Sequence, residues 1–226
     1  MAGGHWIMVE GADGFRFRAW REEAKGEIRG SLILIQEIFG VTPHIRELCA
    51  GFAAEGYVTV APSLYDRIEP CFEAANDEAG ITRALAIRDR HTMAQSMADV
   101  ARVAEALRAE ASRPLYVTGY CYGGAVAYVA AARIPGLAAA VGYYGRLIHE
   151  HRHETPLCPV MLHFGRTDAS IPMTWVEAIA EAQPAAVVHV YDAGHGFNSD
   201  RRSDYHAPSA RLARERTLAF FAAHGA

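Results

Sequence analysis

Apolar and polar positions change character near residue 30. Beyond it, short apolar runs rich in β-branched residues alternate with stretches of helical periodicity, the pattern of a mostly parallel sheet covered by helices on both faces. Ser31 to Gln36 reads as a buried strand, and Pro43 sits where a first helical turn begins, leading through Ile45, Leu48, Cys49 and Phe52 to a stop at Gly56. Tyr57 to Ala61 is the next strand. Residues 63–92 carry Pro70, scattered charges and weak periodicity, which predicts a long, partly helical excursion over the sheet edge. Met97, Val100, Val103 and Leu107 give Met93 to Glu110 a helical stripe, and Pro114 precedes the strand Leu115 to Gly119. Further strands are expected at Ala139 to Tyr144, Val160 to Gly165 and Ala186 to Tyr191, with helices over roughly residues 123–133, 173–182 and 206–223. Before residue 30, Ile7 to Val9 and Phe15 to Trp20 flank the turn residues Gly11 to Gly14 and read as an antiparallel hairpin at the sheet edge. No repeat, low-complexity tract or linker interrupts the pattern, so residues 1–226 are read as a single domain.

The strand ending at Gly119 runs into Tyr120-Cys121-Tyr122-Gly123-Gly124 and an alanine-rich helix. That is the context of the nucleophile elbow G-x-S-x-G, with cysteine in place of serine. A sharp strand-to-helix turn forces strained torsions on the nucleophile, so its neighbours at 119 and 123 must lack clashing side chains. The turn lifts the sulfur clear of the sheet and beside a helix N-terminus, whose unpaired N–H groups and dipole favour a thiolate. A cysteine buried as a small hydrophobe is the alternative. Asp168 follows the strand Val160 to Gly165, and His195 follows the strand Ala186 to Tyr191. Each therefore lies at the C-terminal edge of a parallel strand, where open α/β sheets put their sites. Either could be an ordinary turn residue, but three residues of these types, in the order nucleophile, acid, histidine, point to a Cys121–His195–Asp168 triad. The expected class is α/β: an α/β-hydrolase fold with a mostly parallel sheet, helices on both faces and the N-terminal antiparallel hairpin.

Composition narrows the partners. The chain is 51% hydrophobic and carries 22 Lys and Arg against 26 Asp and Glu, a net charge of −4 that offers no footprint for nucleic acid and no polybasic membrane anchor. A small-molecule substrate fits better. The first residues have neither a basic segment nor a long apolar run, and no stretch reaches bilayer length, so a soluble, cytoplasmic protein is expected. Cys49, Cys71, Cys121 and Cys158 form no C-x-x-C pair, which suits a reducing compartment. No phosphate loop or dinucleotide glycine pattern is present, so no cofactor is implied, and no metal site is expected. Oligomeric state is left open, a monomer being compatible with the sequence. His149, His151 and His153 alternate, as zinc ligands can, yet no cysteine or carboxylate stands at a recognised spacing; a solvated loop is the expectation. Cys49 and Cys158 are read as structural.

Several stretches together resemble the dienelactone hydrolase family: Gln36-Glu37-Ile38-Phe39-Gly40, the elbow from Gly119 to Gly124, Gly142-Tyr143-Tyr144-Gly145, Gly165-Arg166-Thr167-Asp168 and Ala193-Gly194-His195-Gly196-Phe197. The resemblance covers most of the chain from near residue 30 to the end. It implies a carboxymethylenebutenolidase-like activity that opens an enol lactone through a thioester on Cys121. It also implies that Glu37 lies near the thiol and helps form the thiolate, a surface or capping carboxylate being the alternative. The N–H groups of Ile38 and Tyr122 would form the oxyanion hole. Phe39 and Tyr144 fall at the substrate pocket, core packing being the alternative for Tyr144. The family holds a substrate carboxylate with two arginines. Four residues after His195 this chain has Ser199, with Arg201 and Arg202 nearby, and Arg83, Arg88 or Arg90 could supply the other, a solvated surface arginine being the alternative for each; Arg83 is the candidate taken forward. The same triad applied to another activated ester or thioester remains open. A thiol-sensing module that merely kept the elbow would need neither Asp168 nor His195.

Overall fold

Alternation builds the N-terminal hairpin. β1 (His5–Glu10) pairs antiparallel with β2 (Arg16–Glu22), setting Ile7 opposite Ala19 and Val9 opposite Phe17. Phe17 and Ala19 are fully buried while Arg16 between the turn and Phe17 is exposed, the period of two expected of a strand with one covered face. The computed structural model describes residues 3–225, which fall into two compact units, residues 1–116 and 117–226.

In the first unit the strand order is β1-β2-β4-β3, with β3 (Gly30–Ile35) parallel to β4 (Tyr57–Pro62) and β4 antiparallel to β2. Both β3 and β4 are buried at every position, so their sequences run apolar without alternation. α1 (Pro43–Ala54) packs on β4 and β2 through Ile45, Cys49 and Phe52. The excursion after β4 makes a short 3-10 turn at Leu64–Arg67 and then α2 (Glu78–Arg88), which buries only Ala84 and Ile87; that sparse contact explains its weak periodicity. α3 (Met93–Glu110) packs on β3 and β4 and begins in a capping box, Gln95 N–H donating to Thr92 Oγ1 at 3.2 Å and Thr92 N–H to Gln95 Oε1 at 2.8 Å. Arg67 ties the excursion to the hairpin turn and to α3, pairing with Asp13 and with the buried Asp99, each at 2.7 Å.

The second unit takes up the chain within β5 (Leu115–Tyr120) and continues with α4 (Tyr122–Arg133), β6 (Ala139–Tyr143), α5 (Ile148–His151), β7 (Val160–Gly165), α6 (Met173–Ala182), β8 (Val187–Tyr191) and α7 (Ala207–Ala223). Its strand order is β5-β6-β7-β8, with β7 parallel to both β6 and β8. α4 packs on β6, and α7 on β6 and β7. Beneath α7, His163 is fully buried between the Tyr191 hydroxyl (2.8 Å from Nδ1) and Thr217 Oγ1 (3.1 Å from Nε2), and Thr217 meets the Tyr143 hydroxyl at 2.6 Å. Burial drives the His163 pKa well below its ordinary value, so this network holds β6, β7, β8 and α7 together as neutral hydrogen bonds.

One local expectation is corrected. The histidines at 149, 151 and 153 were expected in a loop, but residues 148–151 form one helical turn, α5. Ile148, fully buried, pins that turn, and four residues are too few to display a period. The histidines have separate partners: His149 stacks on Trp175 with ring centroids 4.5 Å apart, and His151 pairs with Glu154 at 2.6 Å. No helix among the described residues is long and apolar enough to cross a membrane.

Candidate active site

Cys121 stands alone between β5 and α4, in a conformation that L-residues rarely take, with φ 53 and ψ −115. The close turn explains the glycine before it: a Cβ on Gly119 would lie 2.0 Å from the carbonyl oxygen of Gly123. Gly124 lets the helix start press against β6, since its Cβ would meet the Tyr143 carbonyl oxygen at 2.3 Å. That same carbonyl accepts the Cys121 N–H at 3.0 Å, which fixes the elbow to β6. The cysteine is half-buried.

The loops after β7 and β8 are laced together. Arg166 N–H donates to the Tyr191 carbonyl at 2.7 Å, Thr167 N–H to the Ala193 carbonyl at 3.1 Å, and a Cβ on Gly165 would strike the Ala193 oxygen at 2.3 Å. Phe197, fully buried against the rings of Tyr143, Tyr144 and Tyr191, anchors the histidine loop. Held this way, His195 Nε2 lies 3.2 Å from Cys121 Sγ and His195 Nδ1 lies 2.7 Å from Asp168 Oδ2. The Asp168 side chain is fully buried and that of His195 is 17% exposed. Burial alone would lower the His195 pKa, but the charge of Cys121 and the hydrogen bonds to Asp168 and Cys121 outweigh it and raise it to about 10. Burial would raise Asp168, and its hydrogen bond and charge interaction with His195 outweigh that, holding the carboxyl below its ordinary value. The arrangement can pass a proton between sulfur and imidazole while a carboxylate steadies the imidazolium.

Tyr144 is fully buried, has φ 38, donates its N–H to the His163 carbonyl at 2.7 Å and sets its ring edge-on to His195 at 5.2 Å. It is thus packed in the core and also part of the wall behind the histidine. Tyr122 opens α4 and is buried. Glu37, Ile38 and Phe39 occupy the turn after β3 in the first unit; Glu37 is only 4% exposed, so it is not the surface carboxylate weighed above. Arg83 lies on α2, paired with Glu69 and stacked over Phe72 at 4.9 Å. Arg88 pairs with Asp89, and Arg201 with Asp200. Ser199 is buried, its N–H bound to the Gly196 carbonyl at 2.9 Å. One residue at the site had no sequence signal: Ser170, two positions after Asp168, reaches both Asp168 and His195.

An elbow cysteine hydrogen-bonded to a histidine that is itself held by a buried aspartate, on loops at the ends of β5, β7 and β8, defines an enzyme of the α/β-hydrolase class. A model of the dienelactone hydrolase family matches residues 18–225. A carboxymethylenebutenolidase of Pseudomonas sp. (strain P51) is 37% identical over 227 residues, covering 94% of this chain and 92% of its own. A Salmonella typhimurium protein provisionally named a carboxymethylenebutenolidase is 37% identical over 213 residues, 86% of this chain and 77% of its own. The crystal structure of a provisionally assigned dienelactone hydrolase from Klebsiella pneumoniae superposes with a TM-score of 0.85 at 32% identity, covering 97% of this chain and 98% of that one. The chain belongs to the dienelactone hydrolase family and is a carboxylic-ester and lactone hydrolase.

Proposed function

We propose that the protein opens an enol lactone of the dienelactone type through a thioester on Cys121, with His195 as the proton carrier and Asp168 as its support. The observation that carries this reading is the continuous path from Sγ through His195 to Asp168, 3.2 and 2.7 Å long. With the thiol proton already on His195 Nε2, Sγ attacks the carbonyl carbon as a thiolate, and the carbonyl electron pair moves onto oxygen. The resemblance in Gln36 to Gly40 and in the elbow supports the N–H groups of Ile38 and Tyr122 as receivers of that oxyanion, Glu37 as a participant in forming the thiolate, and Phe39 and Tyr144 as pocket residues. Collapse breaks the ring C–O bond; the enolate leaves and takes the proton back from His195. Water, deprotonated by His195, then attacks the thioester, the C–S bond breaks and the thiolate departs, leaving a carboxylate product.

A thiolate is readily expelled from a tetrahedral intermediate, so it succeeds only where the substrate's own leaving group is good. An enolate meets that condition far better than an amide nitrogen, so enol lactones and activated esters are expected to turn over much faster than peptides. The carboxymethylenebutenolidase of Pseudomonas sp. supports a lactone substrate, the family resemblance implies one derived from aromatic-compound breakdown, and the four free cysteines support a reducing, cytoplasmic setting. A second reading, an esterase or thioesterase for a neutral activated ester, is favoured by Arg83 being engaged with Glu69 and by Ser199 standing four residues after His195. Ring opening of a carboxylate-bearing dienelactone, followed spectrophotometrically beside a neutral phenyl ester, separates the two. Fast lactone opening that His195→Ala lacks supports the first reading, and Arg83→Ala then reports whether that cation holds the carboxylate. Turnover of the phenyl ester alone assigns the second, and turnover of neither overturns both.

A further inference from the structure

Ser170 touches the histidine and the aspartate at once. Its N–H and its hydroxyl both lie on Asp168 Oδ1, at 2.8 and 2.7 Å, and the same hydroxyl oxygen is 3.2 Å from His195 Nδ1. Oδ2, the other carboxylate oxygen, is the one that meets His195, at 2.7 Å. An ionised carboxylate can only accept, so the Ser170 hydroxyl hydrogen is committed to Oδ1. Toward His195 the hydroxyl oxygen is therefore an acceptor, and the hydrogen between them belongs to Nδ1.

We propose that Ser170 is a positioning residue for this active site: it clamps the Asp168 carboxylate through Oδ1 and shares the Nδ1 hydrogen of His195, so that only the Nε2 side of the ring remains to exchange a proton with Cys121. The proposal rests on the Cys121–His195–Asp168 reading above. Three features make it more than a helix-capping contact. Asp168 has no cap to supply, because α6 starts after Pro172. Ser170 is solvent-exposed, so packing does not hold its hydroxyl there. Both its hydrogen bonds to Asp168 act in the direction that keeps the carboxyl ionised, alongside the larger effect of His195. Other charged groups by this loop are Asp204, near the Cα of Gly194, and Arg202, near that of Gly196, while the Nδ1 hydrogen bonds are to Asp168 and Ser170.

The test compares Ser170→Ala, Ser170→Thr and Cys121→Ala on one activated ester, with the His195 titration followed by proton NMR. Ser170→Ala is expected to lose about tenfold in kcat, the order of one hydrogen bond to a charged group, with KM unchanged and His195 titrating lower. Ser170→Thr keeps the hydroxyl and is expected to restore both. Wild-type kcat and an unmoved His195 in Ser170→Ala, with Cys121→Ala inactive, would overturn the proposal and leave the triad standing. Equal losses in the alanine and threonine variants with His195 unmoved would also overturn it. Full activity in Cys121→Ala would instead remove the reading on which it rests.

Discussion

The strained cysteine, its histidine and the buried aspartate are three side chains whose protonation depends on one another. Removing the Cys121 thiol takes away a charge that raises His195, so Cys121→Ala is expected to titrate His195 at lower pH than the value of about 10 it has in the intact site, a shift read directly from the imidazole proton resonances. Replacing Asp168 by Asn keeps the shape and removes the charge that supports the imidazolium. A loss of roughly 10³- to 10⁴-fold in kcat/KM with an unchanged melting temperature is expected, by analogy with serine proteases. Linkage gives the stability its pH dependence. His195 has a folded pKa above its ordinary 6.5, so its contribution is complete below pH 6.5 and is lost as pH rises through about 10. Denaturant midpoints of the wild type should therefore fall across that window, and those of His195→Gln should fall less. At this scale the grouping of Cys121, His195 and Asp168 was legible from sequence because a triad would demand particular residue types after particular strands. Ser170 was not, since a serine two residues after an aspartate is commonplace and only its place between Oδ1 and Nδ1 gives it meaning. The ion pair of Arg83 was equally hidden, its partner Glu69 lying fourteen residues away across an irregular excursion.

Elements were readable in proportion to how much apolar surface they bury. α3 appeared with the ends read for it because Met97, Val100, Val103 and Leu107 are all buried and the capping box marks its start. Thr92→Ala should cost about 1 kcal/mol of stability, seen as a lower denaturant midpoint with no change in activity. α2 gave only a blurred signal because two of its residues are buried, and α5 gave none because it is a single turn. The elbow shows the opposite limit, where backbone geometry rather than burial dictates sequence. Gly119→Ala would place a methyl 2.0 Å from the Gly123 oxygen, and it is expected to destabilise the protein by ~3 kcal/mol or more, with catalysis lost where the fold survives. A melting temperature equal to the wild type would show that the turn relaxes without cost.

Across the whole chain, the fold class followed from the alternation of strands and helices, and the family from short stretches scattered over both units, residues 1–116 and 117–226. What the sequence left open was chiefly the substrate, because the cations that would recognise it sit on loops whose partners are set by tertiary structure. The preference for good leaving groups is a property of the whole cysteine-based reaction, so hydrolysis of a simple peptide amide at a rate comparable with an activated ester would contradict it. The most direct test of the central claim is the kcat/KM of Cys121→Ala on a substrate the wild type turns over. Loss of at least ~10³-fold in a variant with wild-type melting behaviour is expected if Sγ is the nucleophile. A rate within tenfold of the wild type would contradict the thioester route and everything built on it.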